Sequence, residues 1–174
     1  MRSGDTDGGV PSLQVRALTR DDAVRIAGWR YDGPWAVYDV ADSQILVGEL
    51  DHYSAIVDAS DVLHGFFCVG PAARVPGLEP DPRYVDIGIG LDPAIVGIGR
   101  GAAVGRLVMR HLGSDQRLRA VVQSWNERSL RLARRLGFSE TGVREAGGVL
   151  YAVLVTPDGG RTDPLPRDTA RERR

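Results

Sequence analysis

A strand with glycines inside it, a glycine-rich loop and a helix follow one another in the middle of this chain, and that run limits its fold more than any other feature. Residues 84–91 read as a strand in which Gly88 and Gly90 occupy interior positions. Glycine weakens a strand there, and it signals a bulge or the close approach of another backbone or a ligand. The loop Val96-Gly97-Ile98-Gly99-Arg100-Gly101 leads into a helix whose buried face is Ala103, Val104, Leu107, Val108 and Leu112, stopped by Gly113. Residues 119–123 are again a strand. Strand, helix and strand in that order form a crossover, which joins two parallel strands at the centre of a sheet.

The flanking segments fill in that sheet. Residues 13–17 alternate Leu13, Val15 and Ala17 with Gln14 and Arg16, giving a strand with one apolar face. Thr19 with Asp22 three residues on is a capping box for a helix to about Trp29. In the aromatic run Trp29-Arg30-Tyr31-Asp32-Gly33-Pro34-Trp35, with Tyr38 beyond, Gly33 and Pro34 interrupt regular structure. A weaker helix is expected over residues 42–50, a hairpin over 53–58 and 62–69, and a loop with four prolines over 70–82. Asn126 precedes a helix to Leu136, ended by Gly137 with Phe138 as the apolar companion of a glycine cap. Strands over 139–144 and 149–156 complete a mixed α/β (α+β) sheet with helices on both faces. The 174 residues read as one domain over 12–156, between a flexible N-terminus (1–11) and a Pro-, Asp- and Arg-rich tail from 157 on, expected to be disordered.

Composition narrows the chemistry. The single cysteine, Cys68, excludes an internal disulfide and a multi-cysteine zinc site, and His52, His64 and His111 lack metal-ligand spacing. A metal-free mechanism in a reducing cytoplasm is the expectation. Lysine is absent, so all 22 basic residues are arginine, which removes lysine Schiff-base chemistry and the lysine of a P-loop. The first residues carry Asp5 and Asp7 and no apolar core of a signal segment, and no apolar stretch reaches the roughly 18 residues of a membrane span. Neither a membrane nor a nucleic acid is an expected partner. Residues 1–99 hold 7 Arg against 15 Asp plus Glu, whereas residues 100–174 hold 15 Arg against 8, which suits either one half meeting an anion and the other a cation or charges simply scattered over a solvated surface.

Three glycines in five positions let the backbone of residues 97–101 turn its N–H groups toward one point, and the helix start adds unpaired donors and a positive dipole end. An anion, most naturally a pyrophosphate, fits there; the same residues also suffice for a tight turn that only begins a helix. Gly97-x-Gly99-x-x-Ala102 formally matches the dinucleotide fingerprint. That fingerprint needs its turn directly after the strand and an acidic residue ending the next one. Here residues 92–96 lengthen the connection and the next strand ends in Gln123-Ser124, so NAD-dependent hydride transfer is the lesser alternative.

The glycine loop after a long strand, followed at this spacing by Asn126-Glu127-Arg128-Ser129-Leu130 and Leu136-Gly137-Phe138, resembles the GNAT superfamily of acetyl-CoA-dependent N-acetyltransferases over about residues 13–156. Trp29-x-Tyr31 with Pro34-Trp35 and Tyr38, and Asn126 with Ser129, are most similar to the branch of ribosomal-protein N-terminal acetyltransferases. The resemblance implies a mostly antiparallel sheet whose two central parallel strands splay apart, with the pantetheine arm of acetyl-CoA entering the gap. It further implies that Gly88 and Gly90 permit the splay and that the backbone of Ile89 and Leu91 meets the pantetheine and polarises the thioester. Ile98, Gly99, Arg100, Gly101 and Ala102 would hold the pyrophosphate, and Asn126 would support the pantetheine. Asn126 also suits an ordinary helix N-cap. Arg100, Arg106, Arg134 and Arg135 lie either within reach of phosphates or on a solvated helix face.

An acceptor amine with a pKa near ~10.4 must lose a proton before it attacks a thioester, and a carboxylate is the usual means. Asp86, on the strand leading to the thioester, is the first candidate and Glu79 the second; a solvated aspartate at the strand edge is the plain alternative for Asp86. Many members of the resembled family protonate the leaving thiolate with a tyrosine in the last helix, but the matching position is Ala133; Ser129 is the candidate substitute, with helix packing or capping as its plain alternative. Trp29, Tyr31, Trp35 and Tyr38 either wall an acceptor cleft or belong to the core. The expected activity is direct transfer of acetyl from acetyl-CoA to a primary amine, either a small molecule or a protein N-terminus, within a ternary complex. A non-catalytic acyl-CoA-binding sensor of the same fold is the rival, and a homodimer is compatible with either.

Overall fold

The structure, a computed structural model, describes residues 12–157. The segments for which a flexible N-terminus and a disordered tail are expected lie outside the described residues, apart from Pro157. Strands β1 (Gln14–Ala17), β2 (Tyr53–Val57), β3 (Leu63–Val69), β4 (Val85–Leu91), β5 (Leu118–Gln123), β6 (Ser139–Ala146) and β7 (Val149–Val155) form one sheet in the order β1-β2-β3-β4-β5-β7-β6. Every neighbouring pair is antiparallel except β4 with β5, the two strands joined by the crossover.

Helices α1 (Arg20–Ala27) and α2 (Ser43–Val47) cover one face of the first half of the sheet, and α3 (Gly101–Leu112) and α4 (Glu127–Arg135) cover the opposite face. Alternation along the strands feeds both layers. Ala55 and Val57 of β2 pack with Ala23, Ile26 and Leu46, while Ile56 between them joins Phe67, Ile87, Leu118 and Leu154 under Val104, Val108, Leu130 and Ala133. Capping fixes where the helices begin. Thr19 Oγ1 accepts from the Asp22 N–H at 3.2 Å and the Asp22 carboxylate accepts from the Thr19 N–H at 2.9 Å, closing the box read from the sequence. Burial pushes the Asp22 carboxyl up, but its bonds to Arg16 and Thr19 outweigh that and hold it below the ordinary range. At the end of α4 the Phe138 N–H reaches back to Ala133 O at 3.1 Å around Gly137, whose φ of +92° only glycine adopts freely.

Several boundaries differ from expectation. α1 stops at Ala27, where the last turn tightens and the Trp29 N–H bonds the carbonyl three residues back, Ile26 O, at 3.0 Å. The helix expected over 42–50 breaks at Gly48 into α2 and a separate 3-10 turn, Leu50–His52. The interrupted aromatic run winds as a 3-10 turn, Gly33–Tyr38, with Pro34 in its first turn, and the proline-rich loop opens with another, Gly70–Ala73. Gly88 and Gly90 also have a different cause from the one implied. Their register partners on β3 are Cys68 and Phe66, and a Cβ at Gly90 would stand 2.4 Å from the Phe66 ring. The close approach they accommodate comes from β3 and not from the parting of β4 and β5.

Candidate active site

β4 and β5 part after two residue pairs. The ladder consists of Val85↔Leu118 and Asp86↔Arg119, with the Val85 N–H donating to Arg117 O at 2.8 Å, and then it stops. Backbone groups along a strand point alternately to its two sides. The N–H groups of Ile89 and Leu91 therefore point the same way as that of Val85, toward β5, while those of Gly88 and Gly90 turn toward β3. On the other side β7 holds β5 as far as the bond from the Ser124 N–H to Leu150 O at 2.8 Å, so Val121 and Gln123 turn their backbone toward β4. The result is a slot between two unpaired strand edges in mid-sheet, where polar backbone requires a partner. One partner comes from the protein: Tyr31 Oη donates to Leu91 O at 2.7 Å.

An ion-pair cluster closes the narrow end of the slot. Asp86, 2% exposed, accepts from Arg119 Nε at 2.5 Å on one carboxylate oxygen and from Arg74 Nε at 3.3 Å on the other. Arg119, 8% exposed, also donates from Nη1 to Glu79 O at 3.0 Å. The first candidate base thus has both oxygens committed to guanidinium groups. That geometry makes Asp86 a fastener of the β4–β5 vertex, since an isolated charge at that depth carries a desolvation cost that only the paired arrangement offsets.

The wide end meets the glycine loop. Asp92 caps the 3-10 turn Pro93–Ile95, and Gly97 and Gly99 follow with φ of +88° and +84°. A Cβ at either glycine would meet nothing within 4 Å, so the loop needs glycine for its backbone shape and leaves open space above it. The first amide of α3 to bond back is that of Val104, to Arg100 O at 3.1 Å; those of Gly101, Ala102 and Ala103 have no carbonyl one turn behind them. The side chain of Arg100, a partly buried residue, makes no ion pair or hydrogen bond with any described residue. Open amides, a dipole end and a free guanidinium together suit an anion. Arg134 is instead paired with Glu140 at 3.1 Å on the surface.

An aromatic strap crosses this end of the slot. Asn126, 3% exposed, caps α4 by accepting from the Ser129 N–H at 3.1 Å. It also accepts from Trp35 Nε1 at 3.3 Å and donates to Tyr38 Oη at 3.0 Å. Trp125 packs edge-on against Trp35, and the Arg128 guanidinium lies 4.3 Å over the Trp35 ring. The segment from Tyr31 to Tyr38 is therefore tied to β4 at one end and to the start of α4 at the other. Burial with the nearby Asp39 and Asp92 pushes the Tyr31 phenol up to about 12, which keeps it a donor.

The fifth component is a cleft of about 350 Å³ on the sheet face away from α3 and α4. Its floor is Val121 of β5 and Val153 and Val155 of β7, which alternate with core residues of the opposite face. Its roof is the segment 78–84, contributing Leu78, Glu79, Asp81, Arg83 and Tyr84, and Thr141 and Arg144 of β6 form the far wall. Because Arg119 and Val121 belong to both, the cleft opens beside the slot. Asp81 is held by Arg83 at 2.7 Å, which draws its carboxyl down to about 2, whereas the Glu79 carboxylate has no partner among the described residues. None of the four aromatic residues expected to wall an acceptor cleft borders this one. Tyr31, Trp35 and Tyr38 frame the strap, and Trp29 stacks on Phe66 at 6.1 Å in the core between α1 and the sheet.

Among the described residues no group of His, Cys, Asp or Glu is arranged to hold a metal, and no helix is long and apolar enough to cross a membrane. Sequence reasoning missed Arg119, Arg144 and Ser124, whose Oγ is buried just beyond β5 without a partner among the described residues. An arginine alternating with valines in a predicted strand was the available signal for Arg119; nothing local singles out the other two.

No family model and no curated protein matches the sequence. Solved structures do match in fold. A GNAT-family acetyltransferase from Bordetella pertussis superposes with a TM-score of 0.65 at 22% identity, covering 83% of this chain and 95% of that one. An aminoglycoside acetyltransferase in complex with coenzyme A gives 0.66 at 18% identity, covering 83% and 94%. A spermidine N-acetyltransferase chimera involving Vibrio cholerae gives 0.62 at 16%, covering 83% and 94%. The seven-stranded sheet with one parted parallel pair is the GNAT acetyltransferase fold.

Proposed function

We propose that this protein transfers an acetyl group from acetyl-CoA to a primary amine, and the parting of β4 and β5 is the observation that carries the reading. Pantetheine is an extended chain with two amides, which suits an open strand edge as a missing strand would. The residues present fit such a group: Ile89 and Leu91 offer backbone to its amides and thioester, and the backbone of Ile98, Gly99, Arg100, Gly101 and Ala102 would hold the pyrophosphate, with Arg100 adding its charge. Asn126 would support the arm by exchanging a bond with Trp35 or Tyr38, and Arg134 would join only by releasing Glu140. Acetyl-CoA supplies a thioester activated toward amines.

With α3 and α4 on one face, the amine approaches from the other, through the cleft. There Glu79 is the carboxylate free to take its proton, because Asp81 and Asp86 are bound to arginines. Ser129 and Ser124 are the hydroxyl groups near the start of α4 that can return a proton to the leaving thiolate; Ala133 is packed in the core. A cleft of about 350 Å³ suits a small-molecule amine better than the protein N-terminus that the ribosomal-protein branch implies. The single, buried Cys68 fits a reducing cytoplasm.

Calorimetric titration with CoA, beside thiol release from acetyl-CoA in the presence of mixed primary amines, tests this. CoA binding with amine-dependent thiol release is the expected result. Gly99→Leu, which must adopt an unfavourable φ and fills the space above the amides, should lower CoA affinity at least tenfold with the fold intact. CoA binding without thiol release from any amine points to the sensor, and unchanged CoA affinity in Gly99→Leu contradicts the anion site.

A further inference from the structure

The edge strand β6 is bulged. Its register runs Ser139↔Val155 and Glu140↔Leu154, then jumps to Gly142↔Val153, so Thr141 is the extra residue. A bulge re-aims the side chains after it. In an unbroken ladder Arg144 would share the face of Glu140, toward α3 and α4. After the bulge it pairs with Tyr151 and stands on the cleft face. Gly142 completes the arrangement, since a Cβ there would lie 3.4 Å from Arg144 Nη1 and the guanidinium lies over that bare position.

Among the described residues Arg144 is also the cleft arginine with no acid beside it. Arg119 is bound to Asp86 and Arg83 to Asp81, whereas the Arg144 guanidinium bonds only Val143 O, at 3.0 Å. Of the three arginines lining the cleft, Arg119 is offset by Asp86 and Arg83 by Asp81, which leaves Arg144 and Glu79 as its two uncompensated charges. Val121, Val153 and Gly142 lie in line across β5, β7 and β6, two strand spacings or about 10 Å from the slot edge to the bare glycine. At the slot end stands the unpaired Glu79 and at the far end the unpaired Arg144.

Resting on the transferase reading above, we propose that the acceptor is a small amine that also carries an anionic group, a carboxylate or an oxyacid of similar size, about 6–10 Å from its reactive nitrogen, and that Arg144 binds that group. Amines with a second positive charge are disfavoured at the same place.

The test compares thiol release from acetyl-CoA with three acceptors of one chain length: ε-aminohexanoate, hexylamine and hexane diamine. A charge-assisted bond predicts kcat/KM for aminohexanoate roughly tenfold to a hundredfold above hexylamine, with the diamine poorest. Arg144→Gln should bring the ratio of aminohexanoate to hexylamine to about one. A ratio near one in the unaltered protein, or a preference that survives Arg144→Gln, overturns the proposal and leaves Arg144 as a charged guard of an edge strand. If no acceptor releases thiol, saturation-transfer NMR of aminohexanoate with the CoA-loaded protein decides: a signal lost in Arg144→Gln supports the site, and no signal overturns it. CoA affinity is measured separately, so a protein that binds no CoA identifies failure of the transferase reading itself, and the acceptor site falls with it.

Discussion

Replacing Asp86 by Asn separates a structural carboxylate from a catalytic one. The substitution keeps the side-chain size but leaves Arg119, 8% exposed, with Glu79 O as its one remaining strong acceptor. Breaking a buried ion pair by removing one partner costs about 3–5 kcal/mol, because the surviving charge stays desolvated. Arg74, with its side chain 43% exposed, contributes little to that figure. For a domain of this size each kcal/mol moves Tm by roughly 2–4 °C, so Asp86→Asn should melt about 6–20 °C lower. The double variant Asp86→Leu with Arg119→Met removes both charges and should recover much of the loss. Glu79→Gln, on the exposed roof of the cleft, should change Tm by no more than about 2 °C while lowering kcat roughly a hundredfold or more. Circular dichroism melts and the thiol-release assay on the same preparations supply both readings. An Asp86→Asn protein that melts normally but no longer turns over, beside a fully active Glu79→Gln, would refute the assignment and make Asp86 the base.

Two further outcomes follow from the packing around the slot. Gly90→Ala places a Cβ 2.4 Å from the Phe66 ring, which itself stacks on Trp29, and should cost about 1–3 kcal/mol. Phe66→Leu in the same chain should recover most of this; a neutral Gly90→Ala in chemical denaturation would show that β3 is not what requires the glycine. Burial pushes the phenols of Tyr31 and Tyr53 up to about 12, above the ~10 of an unfolded chain. Their contribution to stability is therefore complete below pH ~10 and lost as the pH rises toward 12. Denaturant midpoints should fall over that window and fall less in Tyr31→Phe, and an equal fall in the variant would contradict the burial of that phenol.

The layers and the parallel pair were legible because they rest on local signals that tertiary contacts reinforce. The capping box of Thr19 and Asp22, the Gly137-Phe138 helix end and the strand-loop-helix-strand crossover each carry their own geometry. What was not legible depends on register. The sequence shows glycines in β4 but not that Phe66 and Cys68 face them. Asp86 reads as a free carboxylate until Arg119, 33 residues on, stands opposite it across the parallel pair. Arg144 reads as one more surface arginine until a single extra residue in β6 turns it onto the cleft. The aromatic run was recognisable, but which partners it takes is set by where Leu91 and Asn126 end up in space.

Amide hydrogen exchange with and without CoA tests the parted strands most directly. The N–H groups of Ile89 and Leu91, and those of Gly99, Gly101 and Ala102, should slow markedly when CoA is added, while those of Gly88 and Gly90, turned toward β3, should change little. CoA that binds without protecting Ile89 and Leu91 would contradict a slot that receives the thiol-bearing arm.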